Sequence, residues 1–260
     1  MIINNNIPAM NTRNQLYNTN AAAAKSMEKL SSGKRINRAA DDAAGLSISE
    51  KMRGQIRGLT QATRNAQDGV SYIQTAEGAL DEVSNMLGRL KELAVQKANG
   101  TYNSDDIDNM ELEMNALHDE IGNVFDNTKF NGKEVLTTAA TIVISDSENV
   151  NLAITAVSAT QVTDIKAVGS GSTVSDIETA INYVNSARAT YGALQNRLES
   201  TIRNLKTTTE NLQASESRIR DTDMASEMST FTKNNILVQA GTAMLAQANQ
   251  QPQNVLSLLR

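Results

Sequence analysis

Between Lys233 and Arg260 the chain carries no charged side chain. Ile236, Leu237, Val238, Ala240, Ala243, Met244, Leu245, Ala246 and Ala248 fall at every angle of a helical wheel. A helix that is apolar all round has to be buried. Gln239, Gln247, Asn249, Gln250 and Gln251 interrupt the stretch, so it lacks the ~20 mostly apolar residues of a bilayer span. A chain end is ordinarily solvated and frayed. This one reads as core, with little chain nearby to cover it. The simplest cover is other copies of the same molecule. The alternative is a C-terminal helix docked in a monomer's own core.

The rest of the composition narrows the fold. The 260 residues include no Cys, no Trp and only 3 Phe. Aromatic rings supply much of the area buried in compact cores, so one globular core is poorly supplied. Ala, Leu, Ile, Val and Met carry the apolar content, which suits seams between helices. Pro8 and Pro252 are the only prolines, so the long interior lacks the strongest helix breaker.

Periodicity then places the helices. Met10, Tyr17 and Ala24 recur every seven residues with Ile3, while Leu16, Ala23 and Leu30 form a parallel stripe. Ser31-Ser32-Gly33 interrupts this first helix. Asp41-Asp42 precedes a seam through Met52, Ile56, Leu59, Ala66, Ile73, Leu80, Val83, Leu87, Leu90 and Ala94. The two carboxylates read as a helix cap in preference to an acid–base or cation site. Unbroken from Ala44 to Ala98, this rod is about 80 Å long, at about 1.5 Å per residue. A shorter acidic helix starts at Ser104, with its seam through Ile107, Met110, Met114, Leu117, Ile121 and Val124. Thr141–Ile144 and Val150–Val157 read as strands, with a hairpin loop over Ser145–Asn149 and a flexible Gly169–Ser172 link. Ser175-Asp176-Ile177-Glu178 matches a capping box and opens a third seam, through Ile177, Ile181, Val184, Tyr191, Leu194, Leu198, Ile202, Leu205 and Leu212. The fold class is mainly α: an elongated antiparallel helical bundle or coiled coil formed by both chain ends, with a small β-hairpin in the middle.

No enzyme constellation is present in this reading. There is no phosphate-binding glycine loop, and His118 is the single histidine, read as solvated. One His and no Cys leave the usual nucleophile–base pairs without members. Catalytic, cofactor and metal sites are therefore expected to be none. Arg13, Lys25, Lys29, Lys34, Arg35 and Arg38 make residues 1–40 basic. They are interleaved with Ala and polar residues, with only Tyr17 among them as an aromatic. A solvated or subunit-facing surface fits better than nucleic acid. The N-terminus has no secretory signal pattern, which on targeting rules alone points to the cytosol.

Four segments carry a resemblance. Residues 30–46, LSSGKRINRAADDAAGL, and 89–96, RLKELAVQ, resemble the N-terminal signature of bacterial flagellins. Residues 218–225, RIRDTDMA, and 246–250, AQANQ, resemble that family's C-terminal signature. The resemblance covers roughly residues 1–136 and 175–260; the short part between resembles nothing in particular. It implies a structural protein that self-assembles into the filament bacteria rotate to swim. Residues 1–43 and 220–260 would form the inner domain D0, and 44–219 the rod domain D1, with the variable segment 137–173. Met10, Tyr17, Leu30, Ile236, Leu237, Met244 and Leu245 would join subunits. The resemblance also overrides the cytosolic reading: flagellins leave through the flagellar type III export apparatus, without a cleaved signal peptide, to the extracellular flagellum. Implied partners are copies of the chain, an export chaperone, the filament cap and hook-associated proteins, with no nucleic acid and no membrane insertion. Flagellins of some bacteria are also bound by the flagellin-sensing toll-like receptor of vertebrates. The matching positions are Arg89, Leu93 and Glu113, with Leu93 on the shoulder of the core stripe. Gly88 and Lys91 depart from the receptor-activating pattern, which has Gln and Arg there. A hook–filament junction protein and a soluble coiled-coil scaffold are the alternatives.

Overall fold

The computed structural model describes residues 6–147 and 150–258, with 252–258 described by backbone alone. Ile3, Leu259 and residues 148–149 of the expected hairpin loop lie outside the described residues. The helices are α1 Ile7–Ser32, α2 Ala43–Lys97, α3 Ser104–Asn127, α4 Ala159–Lys166, α5 Val174–Arg220 and α6 Met224–Leu258. Strands β1 Lys129–Phe130, β2 Lys133–Glu134, β3 Ala140–Val143 and β4 Asn151–Ile154 lie between α3 and α4. The expected mainly helical chain with a small antiparallel hairpin is what forms. It packs as two compact units, residues 1–54 with 212–260, and residues 55–211.

The 55–211 unit is built on the seams. Ile73, Leu80, Val83, Leu87 and Leu90 of α2 meet Met114, Ile121 and Phe125 of α3 and Ile177, Val184, Tyr191 and Leu198 of α5 in one buried cluster. The three-four spacing of these residues is what lets rods share a core. Asp81 with Arg188 and Lys91 with Glu178, each at 2.9 Å, run antiparallel between α2 and α5. Asn103 caps α3 by accepting the Asp106 N–H at 2.8 Å, with Asp105 and Asp106 in the positive first turn. The box at α5 lies two residues earlier than expected. Thr173 N–H donates to Asp176 at 2.9 Å, and Asp176 N–H returns to the Thr173 hydroxyl at 3.3 Å. The helix already begins at Val174, so Ser175 stands inside it and cannot cap it.

The middle segment, which carries no helical seam in the sequence, still adds to the core: Leu152, Ile154, Val157, Ile165 and Val168 are buried. The expected flexible link is also corrected. The Gly169–Ser172 stretch is a closed turn: Gly169 N–H donates to the Ser172 hydroxyl at 3.0 Å, and Ser172 N–H to the Gly169 carbonyl at 3.0 Å. Lys97 holds the Ser170 carbonyl at 2.9 Å. His118 is half-buried, and its Nδ1 donates to the Val168 carbonyl at 2.9 Å in the tautomer this contact requires. Helix α4 is too short for a three-four pattern to stand out; Val162 and Ile165 are its only large apolar side chains, with Val168 just beyond its end.

Glycines on α2 admit the hairpin. A Cβ at Gly69 would run into Ile142 of β3, and one at Gly58 would lie 3.0 Å from the backbone Cα of Asp146. They stand about three helical turns apart, on one face. Asn65, between them, donates to the free carbonyl of Val143 at 3.2 Å.

Because α4 is core, Ile165→Ala is expected to destabilise the 55–211 unit by about 2–5 kcal/mol. The exposed neighbour Thr160 is expected to change stability by less than about 0.5 kcal/mol when replaced by Ala. Urea unfolding followed by circular dichroism compares them; equal midpoints would return 158–172 to the status of a linker.

Candidate assembly surface

In the unit of residues 1–54 and 212–260, α1 and α6 lie side by side. Asn6 Nδ2 donates to the Ala248 carbonyl at 2.7 Å, Leu16 packs at Gly241, and Lys29 lies 3.7 Å from Glu227. These contacts make the pair antiparallel. The stripe α1 turns inward is Ala9, Thr12, Leu16, Thr19, Ala23, Ser26 and Leu30, at three-four spacing. Helix α6 answers with Phe231, Asn234, Val238, Gly241, Leu245 and Ala248. Asn6 caps α1 by accepting the Ala9 N–H.

Most of that seam is small or polar, and the large apolar side chains stay outside. Met10, Ile236, Leu237 and Met244 are exposed, and Tyr17 is 76% exposed. Among the seven residues expected to join subunits, Leu30 and Leu245 are half-buried in the seam within the chain. The other five are exposed outside it, with Leu237 and Met244 flanking it beside Leu16 and Gly241. The charge-free stretch of α6 therefore buries one stripe in its own chain and leaves the rest of its apolar surface open over the described side chains.

The helix breaks on either side of the pair meet in one junction. Gly33 ends α1 at φ 68°, where its N–H donates to the Lys29 carbonyl at 2.8 Å. That left-handed turn suits a residue without Cβ. Lys34 and Asp221 then form an antiparallel bridge. Arg35 N–H donates to the Arg220 carbonyl at 2.7 Å and Thr222 N–H to the Gly33 carbonyl at 3.0 Å. The Arg35 guanidinium reaches the Ile219 carbonyl at 2.7 Å. Arg220, largely covered, pairs with Glu50 at 2.5 Å. Asp42 accepts the Gly45 N–H at 2.8 Å, and Asp223 accepts from Ala225 and Ser226. The reading of Asp42 as a helix cap is met. Asp41 accepts the Asn37 and Arg38 N–H groups and pairs with Lys25 at 2.8 Å. The Lys25 ammonium, followed by those backbone donors, holds the Asp41 carboxyl down at about 2. Arg220 lowers Glu50 in the same way. Sequence reasoning named Lys25, Arg35, Asp41 and Asp42 but not Glu50, and missed the ion pairs of this junction, because neither partner signals the other across the chain.

In the 55–211 unit, Arg89 and Glu113 come together at 2.8 Å, and Arg89 also holds Glu92 at 3.1 Å. Leu93 does not join them. It is 2% exposed, which moves it from the expected shoulder of the core stripe into the core itself. Tyr72, Ala79, Met86 and Leu93 form a second stripe every seven residues beside the main one, and all four pack in the buried cluster.

Two family models match: the bacterial flagellin N-terminal helical region over residues 3–141 and the bacterial flagellin C-terminal helical region over 174–259. The chain belongs to the bacterial flagellin family. It is 49% identical to the flagellin of Bacillus subtilis (strain 168) over 304 residues, covering 100% of both chains. It is 52% identical to a Halalkalibacterium halodurans flagellin over 275 residues, again over 100% of both. It is 46% identical to the flagellar filament 33 kDa core protein of Treponema phagedenis over 286 residues, with 100% coverage of both. A crystal structure of Bacillus cereus flagellin covers 55% of this chain and 88% of its own, at 32% identity and TM-score 0.49. The junction lies where the two matched regions bring their signatures, 30–46 and 218–225, into contact. The matches leave residues 142–173 unclaimed, so this flagellin lacks a large central domain.

The carboxylate of Asp41 makes the junction acid-sensitive. A depressed folded-state pKa adds stability that is complete above the ordinary value of 3.8 and lost as pH falls through about 2. Amide exchange at Asn37 and Arg38 is expected to accelerate over that window, after correction for intrinsic rates. Asp41→Asn is expected to exchange fast at all pH values. A wild-type profile that matched Asp41→Asn would remove the carboxylate from the junction.

Proposed function

We infer that this chain is the structural subunit of a bacterial flagellar filament. The observation that carries the reading is the inverted helical pair: large apolar side chains outside, small and polar ones in the seam. Fully burying a Leu, Ile or Met side chain is worth about 1.5–3 kcal/mol. With about half of each left to bury, Met10, Tyr17, Ile236, Leu237 and Met244 supply roughly 4–8 kcal/mol per subunit before docking costs. No single one suffices, and losing one matters. Residues 1–43 and 220–260 are assigned to the inner domain and 44–219 to the rod. Export through the flagellar type III channel with a chaperone, an extracellular location, and contacts with the cap and hook-associated proteins follow from family membership.

Removal of residues 1–40 or of 225–260 is expected to leave a helical fragment that does not polymerise. Ile236→Lys is the sharper variant, because Ile236 is exposed and Leu245 belongs to the intrachain seam. An unpaired buried charge is costly, so Ile236→Lys should keep its helicity and form no filaments by electron microscopy. Long filaments from any of the three would sink the reading.

A second role, as ligand of the vertebrate flagellin-sensing receptor, is favoured by the exposed Arg89–Glu113 pair on α2 and α3. Arg89→Ala is expected to weaken monomer binding to the receptor ectodomain by about 2 kcal/mol. Leu93→Ala should act through the stability of the 55–211 unit instead. Unchanged affinity for Arg89→Ala would dismiss the pair as a contact.

A further inference from the structure

We propose that the methionines on the outside of the α1–α6 pair are a redox modification site. A peroxide-class oxidant converts their thioethers to sulfoxides in the free subunit, and the modified subunit is barred from the polymer. This rests on the filament reading above.

The distribution of methionine carries the inference. Met10, Met27, Met224, Met228 and Met244 are 52%, 56%, 48%, 50% and 61% exposed. All five lie in the unit of residues 1–54 and 212–260. In the other unit Met110 and Met114 are buried, and Met86 is half-buried against the core. Met52, on α2 in the first unit, is half-buried, so the most exposed methionines among the described residues are the five on the α1–α6 pair and the fully buried ones lie in the 55–211 unit. Met244 also lines an open groove of about 480 Å³ with Leu16, Leu237 and Gly241, which admits a small oxidant to the sulfur.

The chemistry is a single oxygen transfer. The thioether lone pair attacks one oxygen of hydrogen peroxide and the O–O bond breaks. The departing hydroxide takes up the remaining proton as water. Sulfur is oxidised by two electrons and the peroxide reduced by two. The product is polar and a strong acceptor, where the thioether was a pliable apolar group. On a solvated helix face the sulfoxide is hydrated, so the subunit stays folded. In a subunit contact it loses that water. Each buried sulfoxide is expected to raise the critical concentration for polymerisation by about tenfold, the burial cost of one unpaired acceptor. Methionine sulfoxide reductases reverse the change, so the block is a switch.

The experiment treats intact monomer with hydrogen peroxide, maps oxygen uptake by peptide mass spectrometry, and follows seeded elongation. The expected result has three parts. The five exposed methionines gain oxygen before Met110 and Met114. Far-ultraviolet circular dichroism is unchanged. Elongation falls, and repair by methionine sulfoxide reductases A and B restores it. A chain with Met27, Met224 and Met228 replaced by Leu, none of them among the residues read as joining subunits, should elongate and lose part of the peroxide sensitivity. If that chain does not elongate, the three single Met→Leu variants replace it, and each should lose part of the sensitivity. Oxidised subunits that elongate at the control rate overturn the proposal, as do Leu variants as sensitive as wild type. Untreated wild type that fails to elongate strikes the filament reading itself, which separates the two failures.

Discussion

The junction at Gly33–Arg35 and Ile219–Thr222 is the contact on which the placement of both terminal helices depends. It joins segments 184 residues apart. Closing a loop of that length from a free chain costs about 4–5 kcal/mol, and a backbone hydrogen bond returns only about 1 kcal/mol net. Two backbone bonds and the half-exposed Arg220–Glu50 pair, worth little so near solvent, fall short of that cost. They need not meet it alone. Helices α2 and α5 already share a core along the 55–211 unit, with Asp81–Arg188 and Lys91–Glu178 fixing an antiparallel run. Both helices continue beyond Gln55 and Asn211, so most of the loop is closed before the junction forms. The junction then ties the C-terminal end of α1 to the link between α5 and α6, at Gly33–Arg35 and Ile219–Thr222.

This explains which parts of the structure were legible in the sequence. The rods were, because apolar residues at three-four spacing have one physical meaning over many turns. Helix ends at Gly33 and Asp42, and the alternation at Leu152 and Ile154, were legible for the same local reason. Leu93 was misread because α2 serves α3 and α5 at once and needs two stripes; a single-seam reading stops at Leu90 and Ala94. Helix α4 was missed because eight residues cannot display a period. The box at Thr173 was displaced because Ser175-x-x-Glu178 satisfies the same pattern, and only the start of the helix decides between them. For the candidate site, the apolar residues at Met10, Tyr17, Ile236, Leu237 and Met244 were legible as residues, but that they stay outside the α1–α6 seam, and that Lys25 pairs with Asp41 and Arg220 with Glu50, needed the folded chain.

The seam between α1 and α6 gives that surplus its physical sense. An amphipathic helix normally turns Leu, Ile and Met inward. Here Thr12, Thr19, Ser26, Asn234 and Gly241 occupy inward positions, while Tyr17, Ile236 and Met244 stay out. Small residues bring the helices close: a Cβ at Gly241 would lie 3.2 Å from the Leu16 side chain. Close approach fixes register through fit while burying little apolar area, so the pair is well specified and weakly held. A leucine-lined seam would reverse both properties. It would make a stable hairpin in the free chain and leave its outer faces polar, with nothing to offer a neighbour. The weak seam is therefore the cost of the strong outer surface. In the proposed filament these helices take their stability from the copies beside them, and the same choice leaves the exposed methionines in water in the free subunit.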